Sequence, residues 1–345
     1  MSELVLTGPL LDFGNSFWRS PLVMEEFPGL VSSGMQAIGR FGIGFFSVFM
    51  LGNTVRVTSR RCDKGDDSAR VLEIKGGPSG RPIVWLATPG EAPIDGGTRV
   101  EVCLKAPPVG ARGLLWNGSD QKPPLSLARV TAGLAPSLDV ALTSGEVDNL
   151  TAVSGANDWI SISAGDLLGR LDFRQNSEKS ASAKSPYMRP MTDSDGKIYG
   201  RATITPEDYW NREAGWITVS GLRANRLSNL SGILVGEATT AARDIAQPLV
   251  PIDVLIAWAT EQAELLGESR IDEERKAKSA ETILECGGDI GQLPIARWGE
   301  DWMSRTDFRG KIEDRKELVI NFEGEFSYDE DEDAMHPREF KEEFE

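Results

Sequence analysis

One histidine, His336, is all that 345 residues provide. It sits among acidic residues near the end of the chain, so a Ser-His-Asp triad has no plausible base and a histidine-rich metal site is excluded by count. Cysteine is nearly as scarce. Cys62, Cys103 and Cys286 lie far apart and offer no paired zinc spacing, which leads to the expectation of reduced structural thiols. Positive charge is in deficit too: 37 Lys and Arg against 53 Asp and Glu give a net charge of -16. A broad grip on DNA or RNA needs the opposite balance. No apolar run approaches the ~20 residues that span a bilayer. Met1, Ser2 and Glu3 lack the basic start and apolar middle of a signal peptide, so the expected location is cytoplasmic, with no membrane partner. Chemistry is therefore left to carboxylates, lysine, arginine or a bound ligand.

What is present changes texture along the chain. Residues 4–18 read as a short helix and turn, and residues 22–27 as a second short segment bracketed by Pro21 and Pro28. Residues 45–51 are apolar all round, which predicts a buried helix, with Gly52 and Asn53 as its stop. Residues 55–60 alternate apolar and polar as a half-buried strand does. Residues 62–69 read as a hairpin turn, and 71–74, 83–87 and 98–104 as further strands. The fold class predicted is α+β, beginning with helices on one face of an antiparallel meander.

Residues 107–124 are rich in Gly and Pro and read as a linker. Beyond it, strands are predicted at 138–142, 159–162 and 216–219, a mobile polar stretch at 175–185, and helices at 252–266 and 271–284. Residues 323–345 are strongly acidic and are expected to be disordered. The predicted organisation is a first domain over 1–106, the linker over 107–124, an α/β domain over 125–251, a helical region over 252–322 and the tail over 323–345. No internal repeat of fixed period is present.

The clearest motif is Gly39, Arg40, Phe41, Gly42, Ile43 and Gly44. Glycine admits positive φ and close approach, and a helix N-terminus presents free N–H groups to an anion. Neither a Walker loop nor a Rossmann fingerprint is matched, since no Lys-Ser/Thr follows and no strand precedes. Spacing alone leaves a tight structural turn and a phosphate cradle equally open.

Residues 38–47 resemble the second glycine box of the ninety-kilodalton heat-shock chaperones, a branch of the GHKL ATPases. Residues 55–59 are similar to the strand that follows that box, residues 97–100 to the Gly-Thr strand closing the same pocket, and residues 11–16 to the segment after the first glycine box. These blocks stand in family order over residues 3–105. The resemblance implies part of a Bergerat-type α/β sandwich binding ATP with Mg2+. It implies phosphate contacts at Gly39, Arg40, Phe41, Gly42, Ile43 and Gly44, a nucleotide-facing Asp12, and contact between Thr98 and the adenine region. Thr98 alone reads equally as an ordinary strand residue.

More faintly, residues 217–223 and 230–251 resemble the middle domain of the same chaperones, with Arg243 at the position that reaches the γ-phosphate. By itself Arg243 beside Asp244 also reads as a solvated surface pair; Arg223 and Arg226 are lesser candidates. The family's earlier motifs, a helix with a water-orienting glutamate and a magnesium-holding asparagine, and an aspartate-glycine box for adenine, do not occur in the sequence. The expectation is a nucleotide domain truncated at its N-terminus, with catalysis in question. The expected partners are client proteins or a second chain; dimerisation is not evident from sequence. Two other readings stay open: a degenerate interaction module without nucleotide, and a signalling or defence GHKL ATPase.

Overall fold

The alternation over residues 55–60 builds the centre of a four-stranded antiparallel sheet. In the computed structural model, residues 1–32, 39, 41–111, 113–119, 121–146, 149–172, 178–204, 215–240, 245–299, 301–313, 326–329 and 334–337 are described. They form a mixed α+β protein that divides into two compact units, Met1–Thr203 with Asp208–Val254, and Ile204–Glu207 with Leu255–Glu345.

The first unit opens with α1 (Glu3–Thr7), α2 (Leu22–Glu26) and α3 (Pro28–Ser32). Ser2 caps α1, its hydroxyl accepting the Val5 N–H at 3.3 Å. A 3-10 turn at Gly44–Ser47 leads into α4 (Val48–Leu51) and then β1 (Gly52–Arg60), β2 (Arg70–Lys75), β3 (Pro82–Leu86) and β4 (Gly97–Leu104). Their order is β3-β2-β1-β4, antiparallel throughout. Val55, Val57, Leu72 and Ile74 point to one face and pack with Leu6 and Phe49 as a buried core. Each such side chain withdrawn from water contributes roughly 1.5–3 kcal/mol.

The segment 45–51 departs from the wholly buried helix predicted for it. Phe49 is buried, but Met50 is 81% and Leu51 40% exposed. A helix of one turn lying on a sheet can bury only the stripe facing the sheet, whatever its other residues are. The cysteines depart as well, because Cys62 and Cys103 are exposed rather than structural. Cys286 is half-buried, and burial raises its thiol pKa.

The stretch 107–124 holds no helix or strand among its described residues, yet it is anchored. Leu115 donates to Pro108 at 2.8 Å and accepts from the Leu125 N–H at 2.8 Å, and packs with Leu125 and Val130. There follow α5 (Leu127–Leu134), the hairpin β5 (Leu142–Glu146) with β6 (Asn149–Ser154), α6 (Ala164–Leu171), α7 (Glu178–Lys184), and strands β7 (Arg189–Thr192), β8 (Ile198–Thr203), β9 (Gly215–Val219), β10 (Leu222–Arg226), β11 (Ser231–Ala238) and β12 (Ala246–Pro248). The second sheet runs β10-β9-β11-β8-β7, with β12 on β11; β9 and β11 are parallel and the other pairs antiparallel. Leu167, Leu168 and Leu171 of α6 pack with Trp159, Met188 and Ile233.

Two strand predictions fail in this region. Residues 138–141 are not strand. Leu138 lies against Gly221, whose φ of +81° and lack of a side chain form the tight β9–β10 turn, and the backbone is held there by Ser137 N–H to Gly221 O (3.3 Å) and Asn157 N–H to Leu138 O (2.8 Å). Residues 159–162 begin within a 3-10 turn, Asp158–Ile160, set by an ion pair described below. Of the polar stretch 175–185, residues 175–177 lie outside the described residues; the remainder holds helix α7, ending at a buried Lys184 whose ammonium donates to Ser231 at 2.9 Å.

The second unit takes its helices where periodicity put them. They are α8 (Ile252–Gly267) and α9 (Glu273–Glu285), followed by the hairpin β13 (Pro294–Trp298) with β14 (Asp301–Ser304), and by α10 (Arg305–Ile312). Ala259, Ala263 and Leu266 recur on the buried side of α8, and Ala280 and Ile283 on that of α9. Trp298 packs edge-on against Phe308 at 6.3 Å. In the tail, β15 (Phe326–Asp329) pairs antiparallel with β16 (Ala334–Pro337), so these residues are paired strand where disorder was expected; the rest of 323–345 lies outside the described residues. No helix among the described residues is long and apolar enough to cross a membrane.

Candidate functional site

The turn after α1 and the glycine loop meet. Asp12 N–H bonds Gly8 O at 3.1 Å and Asn15 N–H bonds Asp12 O at 3.3 Å, while the Asn15 amide donates to the Asp12 carboxylate at 2.9 Å. Gly14, with φ +87°, lets the chain turn back. The Ser16 hydroxyl then donates to the carbonyl of Gly39, 23 residues on. Gly42 has φ +68°, and a Cβ placed on it would fall 2.7 Å from the Asn15 nitrogen. A Cβ on Gly39 would meet Trp18 at 3.0 Å. Gly42 is thus required by the backbone of Asn15, whereas at Gly39 a side chain would only crowd the indole of Trp18.

Gly44 differs. It is exposed, a Cβ there would meet nothing within 4 Å, and it opens the Gly44–Ser47 turn. Phe41 and Ile43 are half-buried, and Phe46 stacks edge-on with the exposed Phe13 at 5.1 Å. Arg40 and Arg243 lie outside the described residues.

Beside this junction runs an open groove of about 480 Å³, lined by Thr7, Leu11, Asp12, Asn15, Ser16 and Ser20 among others. Among the described residues, Asp12 is the one charged residue in its lining. Its carboxylate accepts hydrogen bonds, and the hydroxyls and amide can donate or accept. Such a wall suits a polar group carrying amines or hydroxyls. A polyanion would be repelled by Asp12; among the described residues none of the glycine loop lines this groove, although Asn15 and Ser16, which do, touch Gly42 and Gly39.

Thr98 is not in the groove lining. Its hydroxyl is 2.8 Å from that of Ser59, which also donates to Gly97 O at 3.1 Å and accepts from the Met1 amino group at 2.6 Å. This polar knot sits at the end of β1 opposite Gly52, where α4 enters. Of the lesser arginine candidates, Arg223 lies 4.5 Å from the Trp216 ring and donates to Leu171 O. Those contacts fasten it to the core of the second sheet.

Two charged groupings escaped the sequence reading. Arg61 bridges Glu26, which also accepts from Ser2 at 2.9 Å, and Asp63 at 2.8 Å. Its guanidinium pushes the exposed Asp63 carboxyl down to about 2. Asp158 and Arg170 form a fork-to-fork pair at 2.7 and 2.8 Å, and that arginine holds the Asp158 carboxyl below the usual carboxylate range. Their spacing in sequence carries no helical signature that would reveal them. Comparison with models of known protein families finds no match, and a search of curated proteins finds none.

Proposed function

We propose that the first 106 residues are an ATP-binding domain of the GHKL type, on the heat-shock chaperone branch, built as part of a Bergerat sandwich. The observation that carries the reading is the junction of Asn15 and Ser16 with Gly42 and Gly39: two blocks that the resemblance assigns independently to the nucleotide touch in the fold. The antiparallel sheet with helices on one face supports the same reading. Asp12 and its neighbours would take the polar edge of the base or the ribose, and the amides from Phe41 to Gly44 the phosphates. Among the described residues no group of three acidic, histidine or cysteine side chains converges, so Mg2+ would enter with the phosphates it usually accompanies. Arg243 would supply charge to the γ-phosphate, and the work would be nucleotide-dependent handling of client proteins in the cytoplasm.

Calorimetric titration of the full chain with Mg-ATP tests this. The informative variant is Gly44→Asp, because its side chain enters open space and leaves the fold intact while setting a negative charge at the phosphate wall. Binding by the native chain, weakened about tenfold or more in the variant, is expected. A folded native chain that releases no heat favours the nucleotide-free interaction module. Nucleotide binding without suppression of client aggregation favours a signalling or defence ATPase of the same fold.

A further inference from the structure

The two edges of the first sheet are unlike. β3 is five residues long and begins at Pro82, which has no N–H to offer. β4 is eight residues long and contains no proline. Among the described residues its outer edge pairs with no strand, and every residue in it but Val102 is exposed. Val100 shows the effect. It lies opposite Val57 on the helix-bearing face, yet it is 47% exposed where Val57 is 1%. A long, regular edge with an apolar row is a template for another strand.

The sequence of β4 is complementary to itself. When Gly97–Leu104 is laid antiparallel to its own copy with Val100 on the two-fold axis, Arg99 faces Glu101 on both sides of the centre. On the opposite face Val100 meets Val100, and Thr98 meets Val102. A two-fold through a residue keeps the same face up in both copies, so the helices of the two chains fall on one side of a continuous eight-stranded sheet. The charges are available for it. Within the chain Glu101 sits opposite Arg56, but Arg56 is engaged by Glu73 at 3.1 Å. Shifting the axis to Glu101 would set two carboxylates face to face, so the charges select one register.

We infer that two copies of this chain associate through β4, antiparallel about Val100, with paired Arg99–Glu101 contacts. The inference is independent of nucleotide binding. Sedimentation velocity of the full chain at about 1 to 100 μM reads dissociation constants of the micromolar decade. A concentration-dependent dimer is expected. Arg99→Glu alone, or Glu101→Arg alone, places like charges opposite each other and raises the dissociation constant about tenfold or more. Mixing the two single variants restores opposite charges and produces a heterodimer. That rescue also shows both variants to be folded. A native chain that stays monomeric across the range overturns the inference. So does a dimer indifferent to both charge reversals, or one that mixing does not rescue.

Discussion

Gly42→Ala is expected to destabilise the first unit by about 3 kcal/mol, whereas Gly44→Ala should change it by no more than about 1 kcal/mol. The two glycines are neighbours in one motif and would be treated alike on sequence. Their surroundings separate them. Gly42 combines a left-handed backbone with no clearance from Asn15, so a methyl group strains φ and displaces the turn at residues 12–16. That turn carries Asp12 and the Ser16 bond to Gly39, and it would loosen with it. Gly44 stands in a helical turn with open space around it. Urea unfolding followed by tryptophan fluorescence measures the difference, since Trp18 packs on Gly39 beside the disturbed turn. Equal stabilities for the two variants would remove Gly42 from the packing role assigned to it. The same contrast governs how ligand binding can be tested: substitution at Gly42 confounds a lost site with a lost turn, and substitution at Gly44 does not.

The strands of the first sheet could be read from the sequence by their alternation, although burial does not follow it strictly: β2 is buried on both faces and β4 is largely exposed on both. Val55, Val57, Leu72 and Ile74 recur with period two, and glycine-bearing turns separate them. The helices α8 and α9 were legible for the parallel reason at period 3.6, with Asp272 capping α9 through the Arg275 N–H at 3.0 Å. What could not be read was set by partners distant in sequence. Residues 138–141 are rich enough in apolar side chains to suggest a strand, but the turn at Gly221 holds Leu138 instead. The parallel pairing of β9 with β11 across an intervening hairpin leaves no local mark. In the candidate site the limit is of another kind. Glycine spacing states that a side chain is excluded and does not state by what. At Gly39 and Gly42 the excluding groups are Trp18 and Asn15 of the same chain. Only at Gly44 does no protein atom stand in the way, so that glycine carries whatever weight the motif has toward a ligand.

Removing Arg170 should cost about 2–4 kcal/mol, the second large effect expected in the first unit. Its guanidinium grips Asp158 with both branches and donates as well to Pro136 O at 3.0 Å, while Asp158 also accepts the Gly155 N–H at 3.0 Å. One pair therefore ties two backbone segments, at Pro136 and at Gly155–Asp158, to α6. The side chains are 10% and 22% exposed, so Arg170→Ala leaves a largely buried carboxylate and a carbonyl without their donor. Arg170→Lys should recover little, because a single ammonium cannot reproduce the planar fork. The double replacement Asp158→Ala with Arg170→Ala should cost less than the sum of the single replacements, since each single variant strands the other group. Acid dependence provides a separate measure. The Asp158 carboxyl titrates below its unfolded value, so the unfolded chain takes up that proton first as pH falls. The pair's contribution is complete above an unfolded pKa of about 3.9 and is lost as pH falls through the lower folded value. Denaturation curves for the native chain should lose this increment on acidification, and those for Arg170→Ala should lack it already at neutral pH. If both chains lose stability in parallel from neutral pH downward, the pair does not hold the turn at Asp158–Ile160, and Trp159 would have to be positioned by its apolar contacts alone.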